Sequence, residues 1–219
     1  MTTFLTDKCT EIRNWLAIGA DVYSDQVVTG WIRMAEEYLS VALRVKHMVQ
    51  IDTSNIINGR VPMPLDWQEI RLVRRLDTNG VCRYQTPDAF YNPEFPNAPS
   101  YPTGTGQKCD TQLNRYTILG NFLIVGDAPS SSNPVTVEMT YYQNIPPLAD
   151  NANNWPNYYH PTVYTLKILH VASMYSIEDA RSQVWDQEVI RMVNGMNAQH
   201  KIDMASGSVL MPVRRKTFG

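Results

Sequence analysis

Hydrophobic positions near the start of the chain recur with the period of an α-helix. Their steps of four, three and four place them on one face of a first helix. The residues are Leu5, Cys9, Ile12 and Leu16. Gly19 is expected to end this helix and Ser24 to cap a second one, because glycine favours helix C-termini and serine favours N-caps. The second helix has a broad apolar stripe made of Val27, Val28, Trp31, Ile32, Ala35, Tyr38, Leu39, Ala42 and Leu43.

From His47 the hydrophobic period changes to the alternation that is typical of β-strands. Tight hairpin turns are indicated at three dipeptides, Asn58-Gly59, Asn79-Gly80 and Gly120-Asn121. The middle of the chain is therefore expected to be an antiparallel β unit. Its strands are predicted at residues 48–53, 69–76, 81–86, 114–119, 122–125 and 135–142.

Two more helices are predicted after the strands. Pro161 stands where a helix tolerates proline best, at the first position, and the residues up to Tyr175 are apolar on nearly every side, so this helix should be central. Ser176 and Asp179 resemble a capping box that opens a last helix. From His200 onward the sequence has no period of its own.

These elements predict an α+β fold in which the terminal helices form an α-helical bundle and an antiparallel β-sheet or sandwich lobe is inserted between them. The inserted lobe contains a loop that is too rich in proline for a central strand. The predicted parts are the bundle (1–46 and 158–199), the β lobe (47–145) with its proline-rich loop (86–109), a hinge (146–157) and an extended C-terminal tail (200–219).

Composition indicates a protein whose surface is covered by partners. Charged residues make up 18% of the chain, less than the roughly 25% that is usual, while tyrosine (12) and tryptophan (5) are frequent. The net charge of −2 is uneven, since residues 1–199 hold 20 acidic and 15 basic residues, whereas 200–219 hold one and four. No apolar run approaches the roughly 20 residues of a membrane span, and no secretory signal is apparent, so a cytoplasmic location is expected.

Motifs of catalysis are absent from the sequence. It contains no phosphate-binding loop, dinucleotide fingerprint, nucleophile elbow, zinc-protease motif or EF-hand loop. A zinc site would require distant segments to converge, because the histidines are His47, His160, His170 and His200. The candidate acids for hydrolysis are Asp66 with Glu69, Asp150, and Glu178 with Asp179. Turns, loops and helix starts explain Asp66, Asp150, Glu178 and Asp179 better than a hydrolase site does, and Asp150 is expected to bond to backbone groups of its Asn-rich loop. We therefore expect that the protein is not an enzyme and that it binds no cofactor and no metal.

The three cysteines are too far apart for a zinc knuckle or a redox motif. Three cysteines, Cys9, Cys82 and Cys109, cannot all form disulfides within one chain. Cys9 lies on an apolar helical stripe and Cys82 in a predicted strand. Cys9 and Cys82 are expected to be small buried hydrophobic residues and not reactive thiols.

Two groups of residues are candidates for partner contacts. Aromatic residues in and near the proline-rich loop could stack on sugar rings or wedge against a protein, and protein contact is favoured because rigid loops bury area at low entropic cost. They are Tyr84, Phe90, Tyr91, Phe95 and Tyr101. The basic group in the tail could touch phosphates or an acidic protein surface. It consists of Arg214, Arg215 and Lys216, followed by Phe218.

The hinge is the most unusual segment of the chain. Pro146 and Pro147 lack backbone donors and should stop the last strand. Trp155-Pro156 and Tyr158-Tyr159 are expected to pack the crossing, so that the β lobe sits at a fixed angle on the bundle. The residues assigned to the hinge are Ile145, Pro146, Pro147, Leu148, Asp150, Trp155, Tyr158, Tyr159 and Pro161.

The segment 140–175 resembles the hinge of head-to-tail adaptor proteins of tailed bacteriophages. That family has a Tyr-rich strand, the motif I-P-P-L-[AS]-D, an Asn/Trp stretch and a helix that starts with proline. Segments 31–48, 60–76 and 177–189 also resemble the family, in the same order and at similar spacing. The likeness covers about residues 4–197. Met63-Pro64 stands where the family usually has Leu-Pro, and the last twenty residues match no part of its pattern.

The resemblance implies a structural protein of the virion. It would form a ring, typically a dodecamer, between the portal and the tail, nozzle or tube, and genomic DNA would pass through the lumen without sequence-specific binding. The resemblance implies no membrane contact. The alternative is a carbohydrate- or receptor-binding β module of a virion, which the aromatic loop favours. A hydrolase is a third class.

Overall fold

The protein has a mixed α+β fold, as its sequence predicts. A computed structural model describes residues 3–19, 22–57, 59–91, 114–126, 135–175 and 181–206. The chain divides into a helical unit, made of Met1–Met48 and Asn144–Gly219, and a β unit, Val49–Gln143. None of the helices in the described ranges has the length and hydropathy needed to cross a membrane.

The described residues form six α-helices and seven strands. The helices are α1 (Phe4–Leu16), α2 (Asp25–Ala42), α3 (Pro87–Tyr91), α4 (Trp155–Tyr159), α5 (Pro161–Tyr175) and α6 (Ser182–Ser206), with a 3-10 turn at Lys46–Met48. The strands are β1 (Val49–Asn55), β2 (Arg60–Pro62), β3 (Trp67–Arg75), β4 (Gly80–Tyr84), β5 (Arg115–Leu119), β6 (Phe122–Val125) and β7 (Thr136–Gln143).

The first two helices form where they are predicted, with one difference at the end of α1. Ser24 holds the N-cap position of α2. The helix α1 ends at Leu16, because Ala17 adopts a left-handed conformation with φ of 55° before the predicted stop at Gly19 is reached. The backbone N–H groups of Ala17 and Ile18 donate to carbonyl groups of the last turn, so the C-terminal cap is already closed.

The helix α5 lies at the centre of the helical unit, as predicted. It begins at Pro161 and packs against α1, α2, α4 and α6. Tyr164, Ile168 and Ala172 are completely buried. A helix that is apolar on nearly every side is stable in water only when neighbours surround it, and these helices provide that cover.

The helix α6 extends beyond its predicted end. It runs to Ser206, so residues 200–206, which the sequence assigns to an extended tail, are helical. His200 is buried, which explains why the helix continues there without a regular apolar pattern. The predicted capping box at Ser176 and Asp179 lies outside the described residues, as do residues 207–219.

The seven strands form one sheet in the order β1-β7-β3-β4-β5-β6-β2. Its two edge strands, β1 and β2, are joined by only four residues, 56–59. A connection of that length spans at most about 18 Å, so the sheet has to curl until its edges are close together. The sheet is therefore nearly closed around its core.

One pair of strands differs from the predicted antiparallel arrangement. The strands β4 and β5 are parallel, with Arg83 opposite Arg115 and Tyr84 opposite Tyr116. The other ladders between the described strands are antiparallel. Parallel neighbours require a long connection, and residues 85–114 supply one. The prediction of a purely antiparallel unit is therefore wrong at this pair.

The predicted turns are present in modified form. Gly120-Asn121 is the expected two-residue turn between β5 and β6. The β3–β4 hairpin is also confirmed, but its loop has four residues, 76–79, and Asn79 takes the positive φ of 54° while Gly80 already belongs to β4. The chain reverses between Ile57 and Arg60, although β1 and β2 each pair with other strands.

The core of the β unit lies inside the curled sheet. It draws on six strands and consists of Ile56, Val61, Met63, Val73, Cys82, Tyr116, Leu123, Val125, Val135, Val137 and Met139. Burial raises the pKa of the Cys82 thiol, and burial does the same for Cys9 in the helical unit. Both cysteines are buried, as predicted.

Candidate functional site

The segment that leads from β7 to α5 is held against α2 by hydrogen bonds to its backbone. The N–H of Ile145 donates to Ser40 Oγ at 2.9 Å, and the N–H of Leu148 donates to Glu36 Oε1 at 2.9 Å. Arg33 donates to the carbonyl oxygen of Leu148, also at 2.9 Å. We call residues 144–160 the crossing segment.

The prolines explain why side chains of α2 have to hold this segment. Pro146 and Pro147 have no N–H group, so they cannot continue the ladder of β7, which ends at Gln143. Both prolines are exposed, whereas Ile145 and Leu148 on either side of them are buried. The segment is thus fixed by the two residues that flank the prolines.

The carboxylate of Glu36 is the centre of these contacts. Only 4% of this residue is exposed. Its Oε1 accepts hydrogen bonds from the N–H of Leu148 (2.9 Å), from Asn154 Nδ2 (2.7 Å) and from the Tyr164 hydroxyl (2.8 Å). Its Oε2 lies 2.8 Å from Arg33 Nη1. We call Glu36, Arg33, Asn154 and Tyr164 the Glu36 clamp.

The clamp joins three parts of the helical unit through one buried charge. Glu36 and Arg33 lie on α2, Leu148 and Asn154 on the crossing segment, and Tyr164 on α5. A buried carboxylate is tolerated when it is paired and its oxygens accept hydrogen bonds, and both conditions are met here. Burial, together with the negative charge of Glu36, raises the pKa of Tyr164, so this hydroxyl stays a donor.

Asn154 also starts the short helix α4. Its side chain accepts a hydrogen bond from the N–H of Asn157 at 3.1 Å, as an N-cap residue does. Pro156 follows in the first turn and is buried. One asparagine therefore both caps α4 and donates to Glu36.

The aromatic residues of the crossing segment stack around His47. The His47 and Tyr159 rings are 4.2 Å apart and nearly parallel, and Trp155 lies 5.9 Å from His47. Tyr158, which was expected to pack the crossing, is 69% exposed and contacts Tyr159 edge to face. Among Trp155, Pro156, Tyr158 and Tyr159, which were predicted to pack here, Tyr158 has the most exposed side chain.

Asp150 has a role at the other end of the chain. Its Oδ1 accepts hydrogen bonds from the N–H and the hydroxyl of Thr6, at 2.8 and 3.0 Å. Thr6 lies in the first turn of α1, where backbone N–H groups have no partner within the helix. A carboxylate at this position also interacts favourably with the helix dipole. Asp150 thereby joins the crossing segment to α1.

Of the histidines and acids considered as chemical sites, Glu178 and Asp179 lie outside the described residues. His47 and His160 come within 6.1 Å of each other, ring to ring, but no group of three or more metal-ligating side chains occurs in the described part of the chain. Asp66 accepts a hydrogen bond from the Tyr141 hydroxyl. Burial, followed by the charge of Asp66, raises the pKa of Tyr141 to about 12.

Only part of the predicted partner-contact residues can be located. Phe90 lies on α3, and the Arg115 guanidinium stands 5.0 Å from its ring centre, so Phe90 packs within the β unit. Tyr84 is exposed on β4 and contacts Tyr116 edge to face. The remaining members lie outside the described residues or, for Tyr91, have an undescribed side chain: Tyr91, Phe95, Tyr101, Arg214, Arg215, Lys216 and Phe218.

The comparison with protein families gives a match over most of the chain. A family model described as SU10 adaptor protein matches residues 5–215. This range includes the β unit, the crossing segment and the whole Glu36 clamp. Among curated proteins, none matches the chain.

Proposed function

Because the chain belongs to the SU10 adaptor protein family, we propose that it is a structural protein of a tailed phage that forms a ring between the portal and the tail. The family match over residues 5–215 is the observation that carries this proposal. The four segments that resemble head-to-tail adaptors support it, since all of them lie within the matched range.

The helical unit supplies the rigid surfaces that a ring requires. Identical copies that meet through two different faces form a closed ring when the rotation between them fits. The Glu36 clamp stiffens this unit, because one buried carboxylate holds α2, α5 and the crossing segment together. A rigid subunit loses little conformational entropy when it assembles.

The β unit supplies contacts to the portal or to the tail. In the sequence, residues 92–113 connect α3 to β5 of its nearly closed sheet, and this stretch contains the predicted contact residues Phe95 and Tyr101. Proline-rich, aromatic loops on a rigid base suit protein contact.

In the proposed ring, genomic DNA passes through the lumen without sequence-specific contacts. The net charge of residues 1–199 is negative. A mildly acidic lining repels phosphate groups and lets the duplex slide. The proposed role has no catalytic step and uses no cofactor.

Negative-stain images of the purified protein, alone and mixed with the portal protein of the same phage, test the proposal. The expected result is closed rings, free or bound to portal particles. Dispersed monomers in both samples would overturn it. Saturable binding of a glycan by the isolated monomer would instead favour the carbohydrate-binding alternative.

A further inference from the structure

The helix α1 buries little apolar surface for its length. Among its apolar side chains, Cys9 and Ile12 are fully buried. Leu5 and Leu16, which continue the predicted stripe, are half-buried, and Trp15 is 56% exposed. A helix of 13 residues is marginal in water on its own, and burial of an apolar face is what normally holds it in a protein. Polar contacts therefore carry much of the attachment of α1.

The first of these contacts is a polar network between α1 and α5. Lys8 is only 5% exposed, and its ammonium donates to Glu11 at 2.7 Å and to the hydroxyl of Thr165 at 3.2 Å. Thr165 donates in turn to the other carboxylate oxygen of Glu11, at 3.0 Å. The attraction within such a pair is largely offset by the hydration that the buried ammonium has lost. The network thus fixes where α1 lies on α5 and adds little to the strength of docking.

The start of α1 is held from outside the helix, by the crossing segment. The N-cap residue Thr3 makes no side-chain hydrogen bond to the backbone of the first turn. Asp150 takes its place, since its carboxylate accepts from the N–H and the hydroxyl of Thr6 and its carbonyl oxygen accepts from the N–H of Phe4 at 3.4 Å. The contacts to the carboxylate are exposed, so water can replace them when α1 moves away.

The Glu36 clamp determines where Asp150 lies. Asp150 is two residues after Leu148, whose N–H donates to Glu36 and whose carbonyl oxygen accepts from Arg33. The turn that carries Asp150 is closed by reciprocal backbone hydrogen bonds between Ala149 and Ala152. A short, closed turn transmits displacement, so movement of Leu148 away from the clamp would also move Asp150 away from Thr6.

We propose that α1 is a detachable helix that undocks from α2 and α5 while those two helices stay folded, and that Asp150 couples its docking to the Glu36 clamp. Elements with few buried apolar side chains and exposed hydrogen bonds open locally, at a fraction of the free energy of global unfolding. Undocking frees the side of α5 that carries Thr165, together with the face of α1 that carries Cys9 and Ile12. The device belongs to the single chain and does not depend on the proposed ring.

The buried cysteines measure this opening without any added probe group. Cys9 on α1 is 1% exposed and Cys82 in the β unit is 5% exposed, so iodoacetamide reaches either thiol only after the structure around it opens. A Cys109→Ser background removes the third thiol, and mass spectrometry of peptides separates the two sites. In low urea, Cys9 should react at least about 10-fold faster than unfolding of the whole protein allows, and its rate should depend only weakly on urea.

Hydrogen exchange provides the second measurement. Amides of residues 4–16 should exchange faster than amides of residues 161–175, because α5 stays folded when α1 undocks. Equal exchange of the two helices, or reaction of Cys9 only at the rate of global unfolding, would overturn the proposal.

Two substitutions test the role of Asp150. Asp150→Ala removes the acceptor of Thr6 and should raise the reaction rate of Cys9 about 5- to 10-fold, as loss of an N-cap does for a helix equilibrium. Asn151→Ala is the matched control, since Asn151 is the next residue and is also exposed; it should leave the rate unchanged. The rate of Cys82 should stay the same in both variants. Acceleration of Cys9 and Cys82 alike would show global destabilisation and contradict a detachable α1.

A double-mutant cycle tests the coupling to the clamp. Glu36→Gln should raise the reaction rate of Cys9, and it should add little once Asp150→Ala is present, because both changes act through the same contact. Circular dichroism verifies that each variant is folded. Independent effects that multiply in the double variant would exclude the coupling through Asp150. Ring formation enters none of these measurements, so their outcome and that of the imaging experiment are separate.

Discussion

Glu36 is the residue on which the position of the crossing segment depends most. Removal of one partner of a buried, hydrogen-bonded ion pair leaves the other groups without compensation, and such changes are costly. Loss of the Glu36 carboxylate would leave the N–H of Leu148, the Asn154 amide and the Tyr164 hydroxyl without their acceptor. The clamp is thus a cooperative contact and not a set of independent bonds.

We expect Glu36→Ala to lower the free energy of unfolding by about 3 kcal/mol, because several buried donors lose one shared acceptor. Urea denaturation followed by circular dichroism measures the change. Glu37→Ala is the matched control, since Glu37 is the next residue and is exposed; its effect should stay within about 0.5 kcal/mol. Equal effects of the two substitutions would contradict the role of the clamp.

The sequence indicates some of these residues better than others. Asp150 was expected to bond to backbone groups of its own loop, whereas the acceptor contacts that its carboxylate makes are to the N–H and the hydroxyl of Thr6 near the start of the chain. Glu36 was not singled out. A signal was present, because Glu36 lies one turn after Ile32 and one turn before Ser40, at the margin of the apolar stripe. A charged residue that is buried at such a position has to be paired and hydrogen-bonded.

At the scale of elements, a polar cluster connects α5 to α6 and α2. Lys167 Nζ lies 3.1 Å from His170 Nδ1, and Asp186 Oδ1 lies 3.0 Å from the same ring nitrogen. The Tyr38 ring is 3.4 Å from the Lys167 ammonium, centre to nitrogen. Burial lowers the pKa of His170, and the charge of Lys167 lowers it further.

This cluster makes stability depend on pH. The folded state binds a proton at His170 less readily than the unfolded state does, so stability is complete above the ordinary histidine pKa of 6.5 and falls as pH drops below it. His47 and His160, whose pKa values burial also lowers, add to the effect. Each histidine contributes at most about 1.4 kcal/mol per pH unit.

We therefore expect the urea midpoint to fall between pH 7 and pH 5.5. In His170→Gln the fall should be smaller, because one group that gains a proton on unfolding has been removed. Denaturation curves at several pH values check this difference. Parallel pH profiles of wild type and variant would show that His170 does not contribute.

Pro146 and Pro147 restrict the conformation of the crossing segment. Replacement of Pro146-Pro147 by Gly-Gly enlarges the conformational freedom of the unfolded chain and of the segment itself. We expect a loss of about 1 to 2 kcal/mol in unfolding free energy. Ring assembly should fall as well. Counting of rings in negative-stain images measures assembly, and an unchanged count would speak against the role given to the prolines.

At the scale of the whole molecule, we propose a role in assembly for the last residues of the sequence. Residues 207–219 contain Arg214, Arg215 and Lys216, and they follow the last turn of α6. In the proposed ring this segment grips the portal or an adjacent subunit.

Deletion of residues 207–219 is expected to weaken binding to the portal and to leave the fold intact, since α6 ends at Ser206. Co-sedimentation with portal particles measures the binding, and circular dichroism checks the fold. A triple substitution of Arg214, Arg215 and Lys216 by glutamine separates the effect of charge from that of length. Normal portal binding of the deleted protein would remove the segment from the proposed role.

Local patterns were enough to predict most helices, most strands and the α+β class. The period of α1, the N-cap at Ser24, proline at the start of α5 and the Gly120-Asn121 turn depend on residues within a few positions of each other. The Asn79-Gly80 pattern locates the turn between β3 and β4 correctly but predicts a loop of two residues. The loop has four, because only Asn79 has a positive φ and Gly80 already pairs with Arg75 in the sheet.

Contacts between distant residues required the folded chain. Glu36 and Leu148 are 112 positions apart, and Thr6 and Asp150 are 144 apart, so no local pattern links them. The parallel pairing of β4 and β5 depends on the route of a long connection. Side-chain period and turn chemistry are local properties, whereas partners across the fold are chosen by which surfaces can be buried together, and only the three-dimensional arrangement contains that information.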